Sequence, residues 1–189
     1  MRLFLNSKSK WNKKYQERVG NLPKLTPNGR LINLSPYLKG GLALDLACGL
    51  GANSLFLAHS NYEVQAIDLS DVAVNFLNEQ AKQQSLPIKV KVCDLTDKDE
   101  LHFKQEKFDL VVITYYLDRS LFPLVKTAVK RGGYFFMETY FVSAENNREI
   151  SDHYKLLPNE LLREFGNWSV LFYEENEQEG RQTIFCRKE

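Results

Sequence analysis

Two carboxylates and a glycine turn carry the chemistry that this chain's residues suggest. Residues 43–54 read Ala-Leu-Asp-Leu-Ala-Cys-Gly-Leu-Gly-Ala-Asn-Ser, an apolar run that reaches Asp45 and then breaks at Gly49 and Gly51. A second strand-like run, Tyr62 to Ile67, stops on Asp68. Strand, glycine turn, helix, strand and acidic tip form the layout of a nucleotide-type pocket at the carboxyl edge of a parallel α/β sheet. Gly49 and Gly51 permit positive φ and let a ligand approach without a Cβ in the way. The helix that follows offers free N–H groups and a positive dipole end. A dinucleotide would place its pyrophosphate there, but Asp45 would repel it. Asp45 suits a cation such as an amino-acid ammonium and leaves the helix end for a carboxylate. Asp68 is placed to accept two hydrogen bonds from a ribose diol. Ammonium, carboxylate and ribose without phosphate describe S-adenosylmethionine (SAM). Ser54 stands where a strict G-x-G-x-x-G has its third glycine, so a nicotinamide oxidoreductase is disfavoured. The plain alternative is a tight strand-to-helix turn that holds no ligand.

These residues need a sheet to position them. Residues 7–19 are predicted to be helical, with Trp11 and Tyr15 four apart on one face. Residues 20–30 read as loop, and 31–38 as a short helix at best, interrupted by Pro36. A regular alternation then begins: strand 42–46, helix 52–59 and strand 63–67. The next helix is capped by Ser70, and its apolar residues Val72, Ala73, Phe76, Leu77 and Ala81 recur at helical spacing. Strands 88–93 and 109–114 and helix 121–129 follow, and Arg131-Gly132-Gly133 turns into strand 134–138. A last helix runs from Pro158 to Phe165. Residues 169–173 and 183–186 form a hairpin around the polar stretch Glu174 to Arg181. The expected fold class is α/β: a three-layer sandwich around a seven-stranded, mostly parallel, Rossmann-like sheet with an antiparallel C-terminal hairpin. No linker interrupts it, so residues 1–189 read as one domain, with 1–40 as an N-terminal helical cap region.

Composition narrows the function classes. The 189 residues are 43% hydrophobic with a net charge of +1, so no strong global field directs the chain to nucleic acid or membrane. Lys8 to Arg18 holds five basic residues and one Glu, which reads either as a solvated helix face or as a weak anion or RNA contact. Met1-Arg-Leu-Phe-Leu is too short for a signal-peptide core, and no apolar run approaches a membrane span. Cys48, Cys93 and Cys186 show neither metal-ligand spacing nor a disulfide framework. The expectation is a cytoplasmic protein that needs no metal and no membrane.

Taken together, the motifs resemble class I SAM-dependent methyltransferases over nearly the whole chain. Leu44-Asp45-Leu46-Ala47-Cys48-Gly49-Leu50-Gly51 resembles the family's first motif, and Asp68 its acidic ribose residue. Cys93-Asp94-Leu95 resembles the strand-3 tip that meets adenine, and Phe108-Asp109-Leu110-Val111-Val112 the fourth-strand motif. Arg131-Gly132-Gly133 matches the turn before strand 5, where the family more often has Pro-Gly-Gly. A narrower likeness joins Gly51-Ala-Asn-Ser-Leu-Phe-Leu-Ala58 and Ala66-Ile-Asp68, with Trp11 and Tyr15, to the small tellurite-resistance-type methyltransferases. The resemblance implies Asp45, Ala47 and Gly49 around the methionine part, Asp68 and Leu69 at the ribose, Asp94 and Leu95 at adenine, and Thr114 past strand 4. Gly51 and Asn53 would shape the turn, unless Asn53 only bonds the helix start.

Methyl transfer from a sulfonium is an in-line displacement that mainly requires alignment and exclusion of water. A general base is needed only if the acceptor starts protonated. The resemblance places the loop after strand 4 over the methyl group, where Tyr115 and Tyr116 orient a substrate or serve as core. Arg119 either binds an anionic acceptor or pairs with Asp118 or Glu138. Glu138 is the candidate base. His153 and Tyr154 lie on the insertion before the last helix, and Trp11 and Tyr15 either fold over the pocket as a lid or pack as ordinary helix. The favoured function is a SAM-dependent methyltransferase acting on a small molecule, as monomer or homodimer. No Asn/Asp-Pro-Pro-aromatic and no Pro-Cys follows strand 4, and no separate nucleic-acid domain exists, so nucleic acid is disfavoured as substrate. An RNA or protein methyltransferase working with a partner, and a non-catalytic SAM-binding module, are the alternatives.

Overall fold

Helical and alternating apolar periods define the elements, and Gly, Asn and Ser mark their ends. The computed structural model describes residues 2–21, 25–97, 99, 101, 103–143 and 150–189, with side chains from residue 7 onward. In chain order these form α1 (Arg2–Gly20), α2 (Gly29–Asn33), β1 (Gly41–Leu46), α3 (Ala52–His59), β2 (Tyr62–Asp68), α4 (Asp71–Gln83) and β3 (Ile88–Val92). There follow β4 (Phe108–Thr114), α5 (Leu121–Ala128), β5 (Val129–Tyr140), α6 (Glu160–Phe165), β6 (Ser169–Asn176) and β7 (Arg181–Arg187). The sheet has seven strands in the order β3-β2-β1-β4-β5-β7-β6. This is the expected α/β fold with its antiparallel C-terminal hairpin. The chain divides into two compact units, Met1–His102 and Phe103–Glu189.

In the first unit, β1, β2 and β3 are parallel, with Asp45 opposite Ala66 and Asp68 opposite Val92. Leu44, Leu46, Val64, Ala66, Leu57 and Leu77 are inaccessible to solvent. Each large aliphatic side chain so buried contributes roughly 1.5–3 kcal/mol. Ser70 caps α4 as its sequence predicts, its hydroxyl accepting the Ala73 N–H at 3.3 Å. Helix α1 starts earlier than residue 7, and α2 lies partly inside the stretch expected as loop, because the Asn28 side chain caps its first N–H groups at 3.0 and 3.1 Å. Pro36 opens a separate 3-10 turn, Ser35–Tyr37.

In the second unit, β5 pairs parallel with β4 and antiparallel with β7, and among the described residues β6 pairs only with β7. Strand β5 begins at Val129, so Arg131-Gly132-Gly133 lies within it rather than before it. The kink is absorbed as a register shift between Phe108 and Leu110, with Gly132 at φ +76° and its N–H bonded to the Lys188 carbonyl. The hairpin strands extend through Glu174, Glu175 and Asn176, because a half-exposed strand tolerates polar residues that a buried one would not. The register of β6 also shifts between Val170 and Phe172. Helix α6 starts at Glu160 rather than Pro158, since Asn159 takes a left-handed φ of +58°. Among the described residues no helix is long and apolar enough to cross a membrane.

Candidate active site

In the first unit, β1 releases the chain into a turn with three left-handed residues in five positions: Ala47 (φ +56°), Gly49 (+54°) and Gly51 (+84°). The sequence gives no sign of the strained alanine, which costs roughly 1–2 kcal/mol in this conformation. The two glycines serve packing as well as φ. A Cβ on Gly51 would stand 2.3 Å from Leu77 Cδ1, so this residue admits α4 rather than a ligand. A Cβ on Gly49 would stand 2.9 Å from the Tyr15 hydroxyl.

Asp45 is 1% exposed. The Ser54 hydroxyl donates to its Oδ2 at 2.6 Å, and its Oδ1 has no hydrogen-bond partner. Ser54, read in the sequence only as a missing glycine, is thus the partner of the central acid. Burial pushes the Asp45 carboxyl up to about 7, and nearby Asp68 adds to this against the Ser54 bond. A buried, half-satisfied carboxylate is costly unless a cation completes it. The aminoacyl ammonium of SAM fits that requirement.

Asp68 is satisfied differently. Its Oδ2 accepts the Gly49 N–H at 2.8 Å and its Oδ1 the Ser70 N–H at 2.9 Å. It braces the glycine turn against the start of α4, and each oxygen keeps a lone pair for a ribose hydroxyl. Burial raises its pKa, while the backbone bonds oppose the rise. Leu69 beside it is half-buried. The Cys93 N–H donates to the Asp68 carbonyl at 3.0 Å and brings the β3 tip alongside. There Asp94 Oδ1 accepts the Thr96 N–H and hydroxyl at 2.9 and 2.8 Å, closing a local turn, and Leu95 is buried. The Asn53 Oδ1 accepts the Asn28 N–H at 2.8 Å, tying α3 to the start of α2.

Helix α1 reaches the same turn. The Ser70 hydroxyl donates to Asn12 Oδ1 at 2.6 Å, and Lys8 pairs with Asp71 at 2.9 Å. Tyr15 is buried and stacks on Trp11 with ring centroids 5.7 Å apart.

In the second unit, Thr114 ends β4 opposite Glu138. Tyr115 follows at φ +56°, and its N–H donates to the Glu138 carbonyl at 2.8 Å. The Tyr115 hydroxyl donates to Glu138 Oε1 at 2.8 Å, and the Thr183 hydroxyl donates to Oε2 at 2.9 Å. Arg181 lies between two rings, 4.6 Å from the Tyr115 centroid and 4.4 Å from that of Tyr140, with Nη1 3.8 Å from Glu138. Its buried Nε has no hydrogen-bond partner. Burial and the adjacent Glu138 raise the Tyr115 pKa, keeping the phenol a donor. Tyr116 is half-buried beside this cluster in sequence. Arg181 and Thr183 escaped the sequence reading because only the β5–β7 register places them opposite Tyr140 and Glu138.

Arg119 pairs with neither Asp118 nor Glu138. It grips Glu160 through Nε and Nη2 at 2.6 and 2.8 Å and donates to the Lys155 carbonyl at 3.1 Å. Glu160 Oε2 also accepts the Leu157 N–H at 2.7 Å, so the pair anchors the segment leading into α6. His153 and Tyr154 are exposed and pack edge to face at 5.1 Å. Among the described residues no three His, Cys, Asp or Glu side chains gather to hold a metal.

Comparison with known proteins bears on the family and the fold. A family profile described as tellurite resistance protein TehB matches residues 28–184. A probable S-adenosyl-L-methionine-dependent methyltransferase TehB of Haemophilus influenzae is 26% identical over 163 residues, 82% of this chain and 56% of that protein. Hemagglutinin 1 of Eikenella corrodens is 27% identical over 139 residues, 70% of this chain and 45% of that protein. The chain spans about half the length of these relatives. The crystal structure of TehB from Haemophilus influenzae superposes with a TM-score of 0.76 at 23% identity, covering 86% of this chain and 63% of that one. Geranyl diphosphate C-methyltransferase from Streptomyces coelicolor superposes with a TM-score of 0.67 at 17% identity, covering 85% and 77%. These structures establish the shared fold.

Proposed function

This chain belongs to the TehB family of tellurite resistance proteins, and on that premise we propose that it is a SAM-dependent methyltransferase whose acceptor is a small molecule. The reading takes residues 1–189 as one methyltransferase domain working in the cytoplasm. The observation that carries it is the bare Oδ1 of Asp45, a buried carboxylate oxygen that the ammonium of SAM would satisfy.

When bound, SAM supplies an electrophilic methyl group on a sulfonium whose departure as a thioether is favourable. Asp45 holds the aminoacyl end through Oδ1 while Ser54 fixes Oδ2. Ala47 and Gly49 shape the backbone around it, and the positive dipole end of α3 suits the carboxylate. Asp68 and Leu69 take the ribose. Asp94 and Leu95 frame adenine, with Thr114 past the end of β4. On the second unit, Glu138 accepts the proton of an acceptor that arrives protonated, and Tyr115 and Thr183 hold the carboxylate ready. The Arg181 guanidinium offers its Nε to a polar or anionic group of that acceptor. Arg119 has a different part in this scheme, holding the segment before α6 rather than touching the acceptor.

Calorimetric binding of S-adenosylhomocysteine tests the cofactor half. Asp45→Ala should weaken it about a hundredfold, by loss of a buried charge partner, and Asp68→Ala less. Unchanged uptake by both variants would overturn the reading. A screen of labelled SAM against thiols, phenols, amines, metalloid oxyanions and RNA tests the acceptor class, and binding without any transfer would favour a non-catalytic module.

A further inference from the structure

Helix α1 has two faces of different character. On one, Lys8 pairs with Asp71 at 2.9 Å, Asn12 receives the Ser70 hydroxyl at 2.6 Å, and Tyr15 is buried against Trp11. On the other, Lys10, Lys13, Lys14 and Arg18 are exposed. At 100° per residue these four fall within an arc of about 140°, and Lys10, Lys14 and Arg18 climb the helix in steps of about 6 Å. Glu17, the one acid of the helix, is exposed on the same arc.

Folding makes little use of this stripe. Lys8 alone of the five cations pairs with an acid among the described residues. Lys14 instead lies 4.5 Å from the Trp11 ring centroid and Arg18 5.9 Å from that of Tyr15, so rings of the packed face steady two of the charges. Like charges four residues apart oppose each other on a helix. Partial burial, and then the charges of Arg18 and Lys10, hold the Lys14 pKa below its ordinary value. The chain as a whole carries 25 basic against 24 acidic residues, so the excess is local to this face.

We propose that the outer face of α1 is a docking surface for the phosphate backbone of a single-stranded polynucleotide. A row of cations relieves its own repulsion against a chain whose negative charges recur in every register. Lysines supply point charges that position phosphates without reading bases, so the contact is indifferent to sequence. A membrane surface fits less well, because Ser7, Lys10, Lys13, Lys14, Glu17 and Arg18 put no apolar side chain on this arc to enter the headgroups. A folded acidic partner would need carboxylates set in one matching row. The inference goes beyond the methyl-transfer reading and does not depend on it, since a strand docks here whether or not it supplies the acceptor.

Fluorescence anisotropy of labelled 20-nucleotide oligouridylate and oligothymidylate with the full chain tests this. The two should bind within about threefold of each other, with log affinity falling against log salt at a slope of about −2 to −3, as three or four neutralised phosphates require. The triple variant Lys10→Gln, Lys14→Gln, Arg18→Gln removes no ion pair, so its urea midpoint should not fall. It should lose at least tenfold in oligonucleotide affinity and most of the salt slope, and keep its calorimetric affinity for S-adenosylhomocysteine. Glu17→Lys should tighten oligonucleotide binding several-fold. Oligonucleotide affinity that is absent, or that ignores both changes, would overturn the proposal while leaving the cofactor reading intact. Polyglutamate, or vesicles of phosphatidylserine, that displace the strand as well as unlabelled oligonucleotide at equal charge would overturn it in favour of an acidic protein or a lipid surface.

Discussion

Asp45 and Glu138, two of the buried acids among the described residues, are held in opposite ways. Asp45, in the first unit, is placed by its strand and by a turn of left-handed backbone, and it keeps one oxygen bare. Glu138, in the second, is enclosed by side chains: a tyrosine hydroxyl, a threonine hydroxyl and a guanidinium flanked by two rings. A backbone-built site with an unsatisfied oxygen leaves a buried carboxylate short of a cation. A side-chain network that already answers its own carboxylate fixes that group without a ligand.

The largest test of this contrast is Gly51→Ala. The added Cβ would run into Leu77 in a left-handed residue, and destabilisation of about 3 kcal/mol is expected by urea unfolding. Gly132→Ala, equally left-handed but with open space around it, should cost only about 1 kcal/mol. Equal losses would show that backbone conformation alone, and not the fit of α4, fixes the first unit's turn.

The bare oxygen predicts a pH dependence of middle size. With its pKa pushed up to about 7, Asp45 is protonated in the ligand-free chain at lower pH and cannot receive an ammonium. Affinity for S-adenosylhomocysteine should therefore fall below about pH 7, by at most tenfold per unit, and level off above it. The stability sign is the reverse. A carboxyl raised above its ordinary 3.8 contributes stability that is whole at or below that value and lost as pH rises to about 7. Asp45→Asn should flatten both curves, and an affinity that ignores pH in the wild type would remove Asp45 from the binding site.

The smallest expected effect distinguishes anchoring from catalysis in the second unit. Arg119→Ala should cost about 1 kcal/mol, since half of the pair is exposed, with turnover nearly unchanged. A large fall in turnover without loss of stability would return Arg119 to the reacting centre.

What the sequence disclosed follows the same division. Asp45, Gly49, Gly51 and Asp68 are legible because a strand, a tight turn and a strand tip sit within 24 residues, and their roles are local. Ser70 was legible as a cap for the same reason. Arg181 and Thr183 were not, because they meet Tyr115 and Glu138 only through the pairing of β5 with β7, more than 40 residues apart in sequence. Ser54 is legible as a departure from a glycine pattern, and the structure adds that its hydroxyl serves Asp45. Arg119 offered two near partners in sequence and chose a third 41 residues away, which no spacing rule could single out.

Strand β6 forms one rim of the sheet among the described residues, and an outer strand carries a cost that the chain has already met. Its ladder slips at Leu171 and then runs into Glu174 and Glu175. An incoming strand would find mismatched carbonyl spacing at one end and like charge at the other if it came from a second copy of this chain. Crowded solutions of this protein should therefore resist fibre-like stacking along that rim.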